Sequence, residues 1–235
     1  MKRRHHSLIA ITAGLLTIST GYSAVLLQDY TLGGVQQKVS WESVEAGGTI
    51  GTGGALSTAN ATNTPTSGVG TVGVNAPGFK ASSGFYSFST NFSMTASTSI
   101  QGNAFDDIQN VVFQRTSIDT GAENLTLGGG PLLSYFIDGS STAAGTIAAS
   151  YFGLGAATIP NSQGNYYAFT YQWDLSGVVG NITSISITAP IPVHSSTVEA
   201  QIDISGGGFT QVIPEPASMA LSALGFAGLF IRRRR

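Results

Sequence analysis

Cysteine is absent from this 235-residue chain, which excludes disulfides, thiol catalysis, thiolate metal sites and acylation at a cysteine. Charge is scarce as well. Only 9% of residues are Asp, Glu, Lys or Arg, and seven of the ten basic residues sit in two terminal clusters: Lys2, Arg3 and Arg4 at one end, and Arg232, Arg233, Arg234 and Arg235 at the other. Between residues 25 and 213 only Lys38, Lys80 and Arg115 oppose eleven acids. A body this acidic lacks the electrostatic footprint of a nucleic-acid binder, leaving neutral polymers, cations or other proteins as partners. Helical periodicity is missing from the body too, which removes the crossover helices that parallel strands need. Stability must therefore come from an apolar core, and roughly 190 residues suffice for one domain or at most two.

What is present begins at the ends. Residues 1–24 run from a basic stretch (Lys2, Arg3, Arg4, His5, His6) through an apolar segment at 8–18 to the small residues Ser19, Thr20, Gly21, Ser23 and Ala24. That order is the signature of a secretory signal peptide, cleaved between Gly21 and Ala24. Its apolar run is short of the ~20 residues that span a bilayer.

At the other end, Val212-Ile213-Pro214-Glu215-Pro216 precedes an apolar run at 217–231 and then the four arginines. As a helix, such a run is about 22 Å long, under the ~30 Å of a hydrocarbon core, and snorkelling arginines extend its reach. Pro216 suits the first position of that transmembrane helix, whereas Pro214 ends any strand before it. The arginines should stay cytoplasmic, placing everything upstream outside.

This tripartite tail, residues 212–235, resembles the PEP-CTERM sorting domain: Pro-Glu-Pro, a short hydrophobic helix and a terminal basic cluster. The resemblance implies an exosortase as partner, with Pro214, Glu215 and Pro216 as its recognition motif and Arg232, Arg233, Arg234 and Arg235 as the membrane-stop cluster. It further implies a Gram-negative cell that makes extracellular polysaccharide, cleavage near the motif, and a body released or attached at the surface.

The body, 25–204, is dominated by alternation of period two. Tyr86, Phe88, Phe92, Met94 and Ala96 share one parity against Ser87, Ser89, Asn91, Ser93 and Thr95, which predicts one half-buried strand. The pattern recurs at Tyr167, Phe169, Tyr171 and Trp173, at Ile185 and Ile187, and at Val198, Ala200, Ile202 and Ile204. Turn formers such as Gly128-Gly129-Gly130-Pro131, Asp138-Gly139 and Ser176-Gly177 separate the runs. Many short strands so punctuated predict an all-β, antiparallel β-sandwich, jelly-roll-like or, as the alternative, immunoglobulin-like. The stretch from Tyr171 to Gly177, followed by Ile182-Thr183-Ser184-Ile185, is also similar to a closing strand pair common in PEP-CTERM bodies, which favours the sandwich. Residues 47–75, nearly all small or polar, predict a loop or an irregular edge, and 205–211 a linker lifting the body off the membrane.

Chemistry has few footholds. His194 is the one histidine of the body, but no Gly-x-Ser-x-Gly elbow accompanies it, so a solvated loop residue is expected rather than a catalytic base. Glu42 with Glu45, or Asp106 with Asp107, supply carboxylates of the type glycoside hydrolysis requires, yet nothing in the sequence sets them across a cleft. Asp106 and Asp107 with Asp138 or Asp203 are oxygen ligands of the kind Ca²⁺ takes, although no Asp-x-Asp-x-Asp-Gly loop occurs. Trp41 and Tyr166 are the candidate glycan contacts, since an exposed aromatic face matches the apolar face of a pyranose. Trp173 shares the inward parity and is expected in the core. The expectation is an exported, non-enzymatic surface or matrix protein without a cofactor. Its rivals are a carbohydrate-binding module and an extracellular glycan hydrolase.

Overall fold

In a computed structural model, the structure describes residues 27–41, 62–63, 68–81, 84–101, 108–119, 127–155 and 165–213. Among the described residues thirteen strands follow in order: β1 Gln36–Trp41, β2 Thr62–Asn63, β3 Gly70–Asn75, β4 Phe79–Ala81, β5 Gly84–Tyr86, β6 Phe92–Ser99, β7 Asn110–Asp119, β8 Leu132–Ile137, β9 Gly145–Ala148, β10 Tyr151–Gly155, β11 Asn165–Asp174, β12 Ile182–Ile191 and β13 Ser196–Ser205. Among the described residues the only helical element is a single 3₁₀ turn at 127–129. The predicted signal helix and transmembrane helix lie outside the described residues.

The strands form two antiparallel sheets. The first has the order β10-β11-β7-β13-β5-β4, with β1 pairing β13 alongside β5, and the second the order β2-β3-β6-β12-β8-β9. Their facing sides share one core. From the first sheet come Val39, Trp41, Phe85, Val111, Phe113, Phe169, Tyr171, Trp173, Ala200, Ile202 and Ile204. The second adds Val72, Val74, Phe92, Met94, Ala96, Leu133, Ile185, Ile187, Ala189 and Ile191. The indole N–H of Trp173 donates to the carbonyl of Ile147 at 3.0 Å, which satisfies the polar atom of a side chain otherwise sealed in apolar surroundings.

Alternation places side chains as expected in β6, where Phe92, Met94, Ala96 and Thr98 are buried and the residues between them lie nearer solvent. Two expectations are corrected. The run from Tyr86 to Ala96 is two strands in different sheets, because the chain bends at residues 88–90, where the Ser89 N–H donates to Ser87 Oγ at 3.4 Å. Tyr86 and Phe88 consequently sit outside the core that Phe92 enters. The second correction concerns β11 and β13, which are buried on both faces and not half-buried. The outer face of the first sheet is lined with Asn110, Gln114, Gln172, Gln201, Asp203 and Ser205, and the segments 27–35 and 206–213 bond to these side chains. The polar parity is thus spent on side chain to backbone bonds instead of on water.

Candidate functional site

Residues 206–213 lead from β13 to the tail, and they are docked along the sheet. Gly206 N–H donates to the Val35 carbonyl at 3.3 Å. Gly34 and Gly207 pass so closely that a Cβ on either would collide with the other's backbone, so glycine is required at this crossing. Asn110 then bonds both sides of the strap: its Nδ2 donates to the Gly208 carbonyl, and its Oδ1 accepts the Thr210 N–H at 3.1 Å. Gln172 continues the grip, donating from Nε2 to the Thr210 carbonyl at 2.7 Å and accepting the N–H groups of Val212 and Ile213 at 3.0 and 3.4 Å. Phe209 stacks on Tyr151 with ring centroids 5.8 Å apart, and Ile213 is buried against Gly153. The segment expected to be a free linker at 205–211 is therefore bound to the body. The reason is that Gly and Thr backbone groups crossing a face of buried amides bond those amides directly.

The expected site residues are scattered. Trp41, a candidate glycan contact, is fully buried in the core, and this corrects the expectation: its position at the end of β1 turns it between the sheets, where it offers no face to a sugar. Tyr166 lies in β11, but its side chain lies outside the described residues. His194 is exposed in the turn between β12 and β13, with Nδ1 at 2.9 Å from the Tyr86 hydroxyl. Its neighbour Ser195 points inward, its Oγ 3.2 Å from Ser117 Oγ, so this histidine has a phenol beside it and not a nucleophilic serine. Glu42, Glu45, Asp106 and Asp107 lie outside the described residues. Asp138, in the turn after β8, and Asp203, on the outer face of the first sheet, belong to different sheets and do not converge. Among the described residues no group of three or more metal-ligating side chains comes together.

Among the described residues three charged side chains are buried, Arg115, Glu199 and Asp203. Burial pushes the Asp203 carboxyl up to about 6, against opposing hydrogen bonds from Gln201 and Gln114 and the attraction of Lys38. Gln201 Nε2 lies 2.8 Å from Asp203 Oδ2. Arg115, on the inward parity of β7, is fully buried, with its guanidinium carbon 4.2 Å from the centre of the Phe169 ring. Its Nη1 donates to Ser117 Oγ at 3.0 Å, while Nε and Nη2 have no partner among the described residues.

Residues 212–235 match the family of the PEP-CTERM protein-sorting motif. The tail is a PEP-CTERM sorting motif. No curated protein and no solved structure matches the chain. A PEP-CTERM motif implies an exported protein, made as a membrane-anchored precursor and processed by an exosortase on its way to the cell surface. Pro214, Glu215 and Pro216, the apolar run and Arg232, Arg233, Arg234 and Arg235 lie outside the described residues, as does the segment at 1–24 expected to be a signal peptide.

The PEP-CTERM motif nonetheless meets the described body. Its first two residues, Val212 and Ile213, are the ones that Gln172 holds. Sequence reasoning missed this junction because three successive glycines at 206–208 and the absence of alternation afterwards look the same in a docked strap and a free one. The available signal was the run of amides and acids on the polar parity of β7, β11 and β13, where a solvated face would more often carry Lys, Ser or Thr.

Proposed function

We propose that this protein is an exosortase-processed surface or extracellular-matrix component of a Gram-negative bacterium, exported by its signal peptide, with a non-enzymatic jelly-roll body. The observation that carries the reading is the PEP-CTERM motif at 212–235, joined at the opposite end of the chain by a basic then apolar leader. Opposed terminal charge clusters flanking an acidic body give the same topology twice, with the body outside.

Strand order supports the jelly roll over the immunoglobulin-like alternative. Reading β1 with β5 as one strand, the chain passes β6, β7, β8, β9, then β10 with β11, β12 and β13. The inner order of one sheet is then first, last, third and sixth, and that of the other second, seventh, fourth and fifth. With the β10–β11 hairpin counted once and β2, β3 and β4 set aside as additions, this interleaving resembles the double Greek key of jelly rolls. Among the described residues, His194 faces the Tyr86 hydroxyl while Ser195 turns inward, an arrangement that favours the non-enzymatic reading.

The test is the intact mass of the mature protein from cells with and without the exosortase. The mass of residues beyond the Pro-Glu-Pro motif should be lost only when the enzyme is present. Retention of the whole tail in cells with an active exosortase that processes a control substrate overturns the reading.

A further inference from the structure

The edge of the first sheet carries an aromatic cluster that the core does not use. Phe79 of β4, Tyr86 at the end of β5, Phe88 just beyond it and His194 of the β12–β13 turn come together there. Phe79 and Phe88 stack with centroids 5.5 Å apart at 30°, and Tyr86 meets Phe88 edge-on at 4.8 Å and 72°. Phe88 is 64% exposed, so little of its ring is buried by folding.

The cluster is held in place by the protein alone. His194 N–H donates to the Ser87 carbonyl at 3.1 Å, Val193 N–H donates to Asn91 Oδ1 at 3.0 Å, and the Tyr86 hydroxyl meets His194 Nδ1 at 2.9 Å. His194 adopts φ of 64°, a conformation that residues other than glycine rarely take. Strained backbone and tied loops thus keep an apolar surface in water.

Three observations select the partner. Residues 84–91 and 192–195 contain no Asp, Glu, Lys or Arg, and Lys80 is the one such residue of β4, which favours an uncharged ligand over an ionic one. A few part-covered rings fall well short of the roughly 800 Å² per partner that a standard protein interface buries, so the surface fits a small apolar face. Position disfavours a lipid. The tail leaves at Ile213, over Gly153 of β10, which is four strands across from β5 and about four residues along, roughly 20–25 Å from the cluster. The rings therefore lie across the first sheet from Ile213, where the described chain leads into the tail.

We propose that Phe79, Tyr86, Phe88 and His194 form a binding platform for an uncharged pyranose of a polysaccharide. The C–H face of the sugar packs on the exposed ring of Phe88, and its hydroxyls bond the Tyr86 hydroxyl, the His194 imidazole and the amide of exposed Asn91. The proposal rests on the surface-exposed reading above and names its partner. The platform replaces Trp41 as the aromatic contact.

The test is affinity electrophoresis of the purified full-length chain in mild detergent through gels containing dextran, β-1,3-glucan or galactomannan. At least one neutral glycan should retard the chain. Phe88→Ala, which removes little buried surface, should weaken retardation at least tenfold with unchanged thermal unfolding, while Phe88→Tyr should retain it. Absence of retardation by all three glycans, or retardation that survives Phe88→Ala, overturns the proposal. So does a Phe88-dependent self-association in sedimentation, or a Phe88-dependent adsorption of the detergent-free, tail-processed protein to phosphatidylethanolamine–phosphatidylglycerol vesicles, with no retardation by glycan. Binding is read on purified protein, so failure of exosortase processing in cells leaves this result standing, and failure of glycan binding leaves the sorting reading standing.

Discussion

The side-chain oxygen of Gln172 accepts the backbone N–H of Val212 at 3.0 Å, so the first residue of the sorting motif is bonded to a fully buried side chain of the body. The same amide serves Thr210 and Ile213, so Gln172 holds the end of the strap nearest the motif, while Asn110 holds Gly208 and Thr210.

Gln172→Ala should therefore leave the Thr210 carbonyl and the Val212 N–H without their partner. The expected loss is about 1–3 kcal/mol in denaturant unfolding, by the cost of orphaned buried polar groups. Amide exchange at Val212 and Ile213 should accelerate in the same variant while the centre of β7 stays protected. Unchanged exchange at Val212 would show that Gln172 does not hold the strap.

Asp203 makes stability depend on pH in a sense opposite to the usual carboxylate. Its folded value, about 6, stands above the ordinary 3.8, so the folded state binds the proton more tightly than the unfolded chain. The stabilisation is complete below about pH 4 and is lost as pH rises through 6, to an extent of order 3 kcal/mol. Asp29 works the other way. Its ion pair with Lys38, at 2.7 Å, lowers its carboxyl below 3.8, so its contribution is present above that value and fades only in stronger acid. Between pH 4 and 6 Asp203 should dominate, and unfolding at a series of pH values should show stability falling across that interval. Asp203→Asn should flatten the fall; a slope that persists in that variant assigns the effect elsewhere.

Arg115 places a cation between the sheets with two donors unpartnered among the described residues. Arg115→Met keeps the unbranched bulk and removes the desolvated charge, and its stability should equal or exceed that of the natural chain, despite losing a ring contact worth about 0.5–2 kcal/mol. Arg115→Ala should be less stable than Arg115→Met, since it leaves a cavity. A loss above about 2 kcal/mol for Arg115→Met would mean that the guanidinium is better compensated than its hydrogen bonds indicate.

Trp41 contributes bulk to the core, but its indole N–H has no partner among the described residues. Trp41→Ala should cost about 3–5 kcal/mol, whereas Trp41→Phe, which removes the unpaired donor and keeps an aromatic ring, should cost much less. Equal losses from both substitutions would point to a bond made by the indole.

Local pattern was legible wherever one residue's environment depends on its immediate neighbours. The inward parity of β6, of Phe169, Tyr171 and Trp173, and of Ile202 and Ile204 follows from the period of a pleated strand. So does the all-β class, and so does the tail, whose three elements act in linear order. The polar parity was legible only in part, since Ser, Thr, Gln and Asp are compatible with water and with a covering strap alike.

By itself, the sequence determined that the chain is exported, carries a processing tag and builds antiparallel strands, because each of these depends on residues adjacent along the chain. Only the tertiary structure decided that Tyr86 and Phe92 belong to different sheets, that Trp41 points inward, that Phe79 and His194 meet, and that Gln172 grips residues forty positions away in sequence. These outcomes depend on which strands pair and which surfaces then face each other, a relation between distant segments that no local periodicity encodes.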